Sequence, residues 1–343
     1  MEPSSLLTNS DDVSVSETND APRDNIKNEE IISNLPHKKG RQPSGELHKY
    51  QGFWYNPDIL KCIVSAQEHF VAEPTDIIIS SLPKSGTTWL KALCFAILRR
   101  THLRDYSINR LLTELPHDIV PFIEYNQDIK DPNNHPLWGT HIPYSSLPKS
   151  IAESNCKIIY IFRNPKDVFI SLWHFAARLR GMSTEDFPLE EAFQSFCEGV
   201  SIYGPYWDHV LGYWKATLQF PDRILVIRYE DLQLDSLSCI KTLAEFMGCP
   251  FTMEEERQGS VQEVVEFCSF QNLSSLEVNK CKKYFSPWPI KIEHNAFFRK
   301  GKIGDWENYL TAEMVAQLDE ITEKKFSGSG LTFVSFITSS TPR

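Results

Sequence analysis

No stretch of the 343-residue chain approaches eighteen uninterrupted apolar residues, and its first residues lack a basic start followed by an apolar segment, so neither a membrane span nor a secretory signal is expected. The expected compartment is the cytoplasm. The chain also lacks a C-x-x-C pair. Its eight cysteines, Cys62, Cys94, Cys156, Cys197, Cys239, Cys249, Cys268 and Cys281, are scattered, which argues against a zinc site and, at this length, against a disulfide framework. No broad positive field is present either. A net charge of -10 disfavours nucleic acid or an anionic membrane as a partner, so any anion site must be local.

Aromatic residues make up 12% of the chain, bulk enough for one large core or two modest ones. The first thirty residues differ in kind. They hold eight acids against two bases with few large apolar side chains, and a disordered acidic tail over 1–34 is predicted, as a docking arm or a solvated extension. No linker rich in Gly, Pro or Ser and no internal repeat divides the remainder, so one domain over 35–338 is expected.

Strand and helix patterns alternate along that domain: "TDIIIS" before "TTWLKALCFAILRR", "CKIIYIF" before "PKDVFISLWHFAARLR", and "RILVIRY" before "SLSCIKTLAEFMG". This order predicts an α/β fold, a single domain with a central parallel β-sheet flanked by helices. A shorter strand, "LWGTHIP", is expected to run to Pro143, and the region from Met182 to Tyr213 reads as helical.

"SLPKSGTTWLK", Ser81 to Lys91, has the strand, small-residue loop and helix order of a phosphate cradle. Lys84 supplies a charge, Gly86 permits close backbone approach, and Ser85, Thr87 and Thr88 offer hydroxyls. Small residues also cap helices that bind nothing, so this loop alone does not decide. A magnesium-dependent nucleoside-triphosphatase is disfavoured, because G-x-x-x-x-G-K-[ST] is missing and the strand "KIIYIF" leads into Arg163 where a metal-binding acid is required. Asn164 and Pro165 then mark a firm helix start, with Ser171 on that helix. Near the C-terminus "FFRKGKIGDW" carries Arg299, Lys300 and Gly301, a second compact basic loop in an acidic protein. Two anion sites, one at each end of a nucleotide, account for both loops.

With "PKSGTTWLKAL", "THIPYSSLP", "IYIFRNPKDVFISLWHF", "LVIRYEDL", "CSFQNLSSLEVN" and "FFRKGKIGDW" in this order, from about "YQGFWY" to "GSGLTF", the chain resembles the plant cytosolic sulfotransferases. The resemblance implies sulfuryl transfer from 3′-phosphoadenosine 5′-phosphosulfate (PAPS) to a small hydroxylated metabolite, with no metal. It implies that Lys84, Ser85, Gly86, Thr87, Thr88 and Trp89 hold the 5′-phosphosulfate, Trp89 also packing on adenine. It assigns Arg163, Ser171, Arg299, Lys300 and Gly301 to the 3′-phosphate and Tyr229 and Phe270 to the purine. Trp89 and Phe270 read equally as core residues by position alone.

His141, in "GTHIP", is the histidine the resemblance makes the general base, and Lys84 is the natural partner for charge on the leaving phosphate. Departures from the family pattern carry their own expectations. Gly139 stands where many animal members carry Lys, so a contact to the transferring group is expected to be missing. Cys268 stands where Thr often sits beside adenine. The dimer motif K-x-x-x-T-V-x-x-x-E is degenerate in "ENYLTAEMVA", Glu307 to Ala316, which implies a monomer. A nucleotide kinase, a nucleotide-binding module without chemistry, and a Golgi glycan sulfotransferase are the competing readings. "FIEY", "SLWHFAARLR" and "IYGPYW" are candidate acceptor walls for flavonols, steroids, hydroxyjasmonates or desulfoglucosinolates, and read equally as helix core.

Overall fold

Five consecutive buried residues, Ile77 to Ser81, form the strand β4, three isoleucines followed by two serines, all covered because neighbours pack on both its faces. In a computed structural model of the chain, β4 pairs in parallel with β5 (Leu137–Thr140) on one side and β6 (Lys157–Phe162) on the other, and β6 pairs with β7 (Ile224–Arg228). The order β5-β4-β6-β7 is that of an α/β sheet with crossover connections. The structure describes residues 31–39, 45–105, 107–125, 136–281, 283–285 and 291–333. The tail expected over 1–34 lies outside them through residue 30, as does the expected domain end at 338; the fold proper is the unit beginning at Pro36.

Helices cover both faces. On one, Ile77, Ile79, Ile159, Ile161 and Ile227 pack against α2 (Thr87–Leu98), α7 (Ser236–Met247) and α8 (Ser260–Phe267) in one buried cluster. On the other, Tyr160 stacks on Tyr213 of α5 (Tyr206–Gln219) with ring centroids 4.1 Å apart and 7° between planes. Alternation along β6 sends Ile159 and Ile161 to the first face and Tyr160 to the second.

The remaining helices that matter for the site are α1 (Pro57–His69), α3 (Pro165–Leu179), α4 (Leu189–Cys197), α6 (Tyr229–Leu234), α9 (Phe270–Ser275) and α10 (Ala312–Phe326). Asn164 caps α3, accepting from the Lys166 amide at 3.0 Å with Pro165 at the first helical position, as the sequence predicts. Two antiparallel additions flank the core sheet: β1 (His37–Lys39), β2 (Glu46–Tyr50) and β3 (Phe53–Tyr55), and a hairpin of β8 (Lys283–Phe285) with β9 (Lys291–Glu293).

Two expectations are corrected. The region Met182–Tyr213 is not one helical stretch: α4 ends at Cys197 and α5 starts at Tyr206, with Pro205 at the boundary. The connecting loop is tied to β3 by Trp54 N–H to the Gly204 carbonyl at 2.9 Å and Tyr203 N–H to the Trp54 carbonyl at 2.8 Å. Strand β5 stops at Thr140 rather than Pro143, because the Thr140 hydroxyl takes the Ile142 amide at 3.0 Å and turns the chain out of the ladder.

Candidate active site

All four strands of the parallel sheet deliver residues at their carboxyl ends, where such sheets bind ligands. After β4 comes the loop to Gly86, after β5 His141, after β6 Arg163 and after β7 Tyr229. The register sets these ends side by side: Ser80 faces Thr140, Ser81 faces Ile161 and Phe162 faces Arg228. A cleft of about 300 Å³ opens above them.

The first loop is held in an unusual backbone shape. Lys84 has φ +70° and Gly86 φ +115° at the N-cap of α2. A non-glycine residue in the left-handed region stores strain that tends to mark functional loops. Gly86 admits no side chain, since a Cβ there would sit 2.8 Å from the Tyr229 ring. The Ser81 and Thr87 hydroxyls bond at 2.6 Å, closing the loop on its strand, and Thr88 Oγ1 meets His117 Nε2 at 2.9 Å.

Lys84 Nζ lies 4.1 Å from the Phe175 ring centroid and 5.8 Å from that of Phe297. Burial draws its pKa down to about 7, and Arg299, Arg163 and Arg178 push the same way. Arg163 and Arg299 line the same cleft as Lys84, and Arg178 and Arg299 line an adjoining hollow with it, although the sequence separates Arg163 from Arg299 by more than a hundred residues.

The second basic loop is fixed by buried acids. Asp305 receives Arg299 Nη1 and, at 2.6 Å, Lys300 Nζ. Asp167 on α3 accepts the Gly304 amide at 2.9 Å and pairs with Arg163 at 3.3 Å. Arg163 Nη2 donates to the Lys302 carbonyl at 2.5 Å, and its guanidinium carbon lies 4.4 Å from the Tyr229 ring centroid. Gly301, with φ +62°, brings its backbone against Phe270, where a Cβ would overlap the ring. Gln233 Nε2 joins the Tyr229 hydroxyl at 3.1 Å to the Gly301 carbonyl at 3.2 Å.

His141 is held at three points. Its Nδ1 is 2.7 Å from the Ser81 carbonyl, its amide donates to Glu124 Oε1 at 2.7 Å, and its carbonyl accepts from His209 Nε2 at 3.0 Å. A carbonyl only accepts, so Nδ1 carries the proton and Nε2 is bare. Burial, with the charges of Lys91, His209 and Lys84 adding to it, brings the imidazole pKa down to about 3, the Ser81 bond opposing.

Of the residues predicted from sequence, Lys84, Gly86, Thr87, Thr88, Trp89, His141, Arg163, Ser171, Tyr229, Phe270, Arg299, Lys300 and Gly301 line this one cleft. Ser85 does not: it is fully buried beneath the loop. Cys268 is likewise buried in the core rather than on the cleft wall. Sequence reasoning missed His117, Glu124, Gln233 and Asp305. The only local signal was the acid in "GKIGDW" close to two basic residues; the others meet the site through space.

Three residues of the cleft wall also carry a nitrogen buried behind it. Trp89 Nε1, Arg163 Nε and Arg299 Nε are buried without a hydrogen-bond partner among the described residues. The cations on the cleft wall, Lys84, Arg163, Arg299 and Lys300, suit a ligand made of acceptor oxygens. Residues 74–330 match the family described as Sulfotransferase domain. The chain belongs to the sulfotransferase family. It is 47% identical over 334 residues to cytosolic sulfotransferase 17 of Arabidopsis thaliana, covering 93% of this chain and 96% of that one. To the flavonol 4′-sulfotransferase of Flaveria chlorifolia it is 46% identical over 310 residues, covering 88% and 95%. A crystal structure of an Arabidopsis thaliana putative steroid sulphotransferase superposes with TM-score 0.71 at 36% identity, covering 93% and 99%. Mouse sulfotransferase SULT7A1 complexed with PAP superposes with TM-score 0.63 at 27% identity, covering 83% and 96%. The α/β fold is thus that of the sulfotransferases, and the protein is a sulfotransferase enzyme. No described helix is long and apolar enough to cross a membrane.

Proposed function

We propose that this sulfotransferase transfers the sulfuryl group of PAPS to the hydroxyl of a small apolar metabolite, with His141 as general base and without a metal ion. The observation that carries the reading is the convergence of Lys84 with Arg163 and Arg299 in one cleft. The neighbour complexed with PAP supports the same donor. In the donor a sulfuryl group is linked through oxygen to a phosphate, and that bridging bond is the one that breaks.

Under this reading the chain's residues divide the work. Arg163, Ser171, Arg299, Lys300 and the Gly301 backbone hold the 3′-phosphate, and Trp89, Tyr229 and Phe270 enclose the purine. Thr87, Thr88 and the backbone of the Ser85–Gly86 turn hold the 5′ end; Ser85, buried, serves through its main chain. Lys84 carries its proton to the oxygen on which negative charge develops. His141 Nε2 takes the acceptor's hydroxyl proton as that oxygen attacks sulfur, and positioning supplies most of the remaining acceleration.

The acceptor side is walled by Phe122, Trp173, Phe175, Phe196, Tyr203 and Phe297. These rings favour a flat, uncharged hydroxylated molecule over one carrying a charge near its hydroxyl, and the relative named flavonol 4′-sulfotransferase supports a flavonol among such acceptors. The protein acts as a cytosolic monomer in this reading, with the relatives named cytosolic supporting the compartment. The test is a transfer assay with sulfur-labelled PAPS across flavonols, steroids, hydroxyjasmonates and desulfoglucosinolates, with and without a chelator. Chelator-resistant label on a flavonol bears the reading out. Chelator-sensitive turnover, or label only on a charged acceptor, overturns it.

A further inference from the structure

Lys91 projects from α2 into the interior and is entirely buried. Its Nζ donates to the Val120 carbonyl at 2.8 Å and sits 3.2 Å from the Phe122 ring centroid. Burying an amine this deeply is costly, and the natural replacement at such a site is an apolar side chain. Something must be gained by keeping it.

The space Lys91 occupies exists because residue 139 is glycine. A Cβ on Gly139 would overlap both Cε and Nζ of Lys91. Gly139 also ties the same segment to β5: Ile123 N–H donates to the Gly139 carbonyl at 2.9 Å, and Gly139 N–H to the Pro121 carbonyl at 2.7 Å. Lys91 and Gly139 therefore grip the stretch 120–123 from two sides. Lys91 itself does not line the cleft.

That stretch leads directly to His141. The Phe122 ring packs on the His141 ring with centroids 4.8 Å apart, and Glu124, 1% exposed, takes the His141 amide at 2.7 Å. Phe122 and Tyr125 also face the cleft. We propose that Lys91, in the space left by Gly139, is a positioning residue that clamps the 120–125 segment and through it sets the ring of His141. The inference rests on His141 acting as the base in the proposed reaction.

The decisive experiment is a double-mutant cycle of Lys91→Met and Gly139→Ala in the full chain, with Tm and PAP affinity measured alongside. Lys91→Met keeps the volume and removes the donor. The expected loss in kcat is about 10- to 100-fold, the scale of a misplaced reacting group. PAP Kd should hold within about twofold, since the nucleotide residues are untouched, and Tm within about 4 °C, because loss of the buried amine offsets the orphaned carbonyl. Gly139→Ala, whose methyl meets both Cε and Nζ of Lys91, should give the same kcat loss in the wild type and little further loss beside Lys91→Met, because the clamp is already gone and the flexible thioether, no longer tied to Val120, can turn away from the new methyl. Losses that multiply, a kcat unchanged in Lys91→Met, or a PAP Kd that rises in step with the rate loss would overturn the proposal. A His141→Ala control that keeps its rate would instead sink the assignment of the base, leaving the cycle to report only on the segment.

Discussion

His141 Nδ1 lies 2.7 Å from the backbone carbonyl of Ser81, the last residue of the strand that carries the Lys84 loop. One hydrogen bond thus fixes the base to the element that holds the leaving-group cation, and leaves Nε2 as the proton acceptor. His141→Ala should lower kcat by about 10³-fold, within the range for loss of a general base. PAP affinity should change less than about threefold, since no nucleotide contact is assigned to this ring. Single-turnover rates with calorimetric binding check the separation; equal losses in both would make His141 a nucleotide ligand.

Lys84 makes a second, more quantitative test available. Its pKa is drawn down to about 7 by burial first and then by Arg299, Arg163 and Arg178. A polyanionic nucleotide beside it favours the ammonium form and raises that pKa, so binding PAP above pH 7 takes up a proton. At pH 8 uptake should be a large fraction of one proton and at pH 6 near zero. Calorimetry in two buffers of different ionisation enthalpy measures it. Lys84→Met should abolish the pH 8 uptake and weaken binding; proton release at pH 8 would contradict the assignment.

The strand, loop and helix around Lys84 were legible in sequence because each rests on local chemistry: β-branched residues before the loop, a glycine able to take φ +115°, and hydroxyls at the helix start. Arg163 and the cap at Asn164 were legible for the same reason. What sequence could not supply was the distance between remote elements. Lys91 carries a charge that ordinarily stays in water, yet it is buried because Gly139, on strand β5, leaves it room. The break before Pro205 was hidden by the apolar periodicity on both sides of it. Only the family resemblance pointed to His141 as the base; the three bonds that orient it come from β4, from the segment after Val120 and from α5.

Gly301 offers a test of the nucleotide side alone. It holds φ +62° and has no room for a Cβ against Phe270. Gly301→Ala must strain the backbone, at roughly 1–3 kcal/mol for such a residue, or push Phe270 off the purine site. PAP Kd should rise about 10- to 100-fold, at about 1.4 kcal/mol per tenfold. With saturating donor, kcat should recover to within a few-fold. A lowered kcat at saturation with unchanged Kd would move Gly301 out of the donor site.

Asp305 holds both Arg299 and Lys300, and the pull of these cations outweighs its burial and brings its carboxyl down to about 2. Asp305→Asn keeps the shape and removes the charge that aims the pair. Donor affinity should fall about tenfold in spite of the added net positive charge in the cleft, since loss of geometry in a charge-assisted bond outweighs a diffuse gain. Tighter PAP binding would show instead that Asp305 acts mainly as a competing anion. Binding titrations at two salt concentrations separate these, because the diffuse term is screened and the aimed contacts far less so.

Buried histidines give the fold a built-in acid limit. Burial takes His209 down to about 4 and His141 to about 3, and holds His117 well below its ordinary value. His209 is locked neutral: Nε2–H donates to the His141 carbonyl and Nδ1 accepts from the Tyr160 hydroxyl at 2.9 Å. Unfolded histidines bind protons near pH 6.5, and the folded ones do so only near 3 to 4. Between these limits the unfolded chain holds more protons, so stability is full above about 6.5 and falls as pH drops through that window. His209 alone accounts for about 3 kcal/mol of that fall if the whole shift is realised. His209→Gln removes its titration, so urea midpoints at pH 7.5, 6 and 5 should fall less steeply in the variant, whatever its stability at pH 7.5. Parallel slopes in the two proteins would show that the acid sensitivity comes from elsewhere in the molecule.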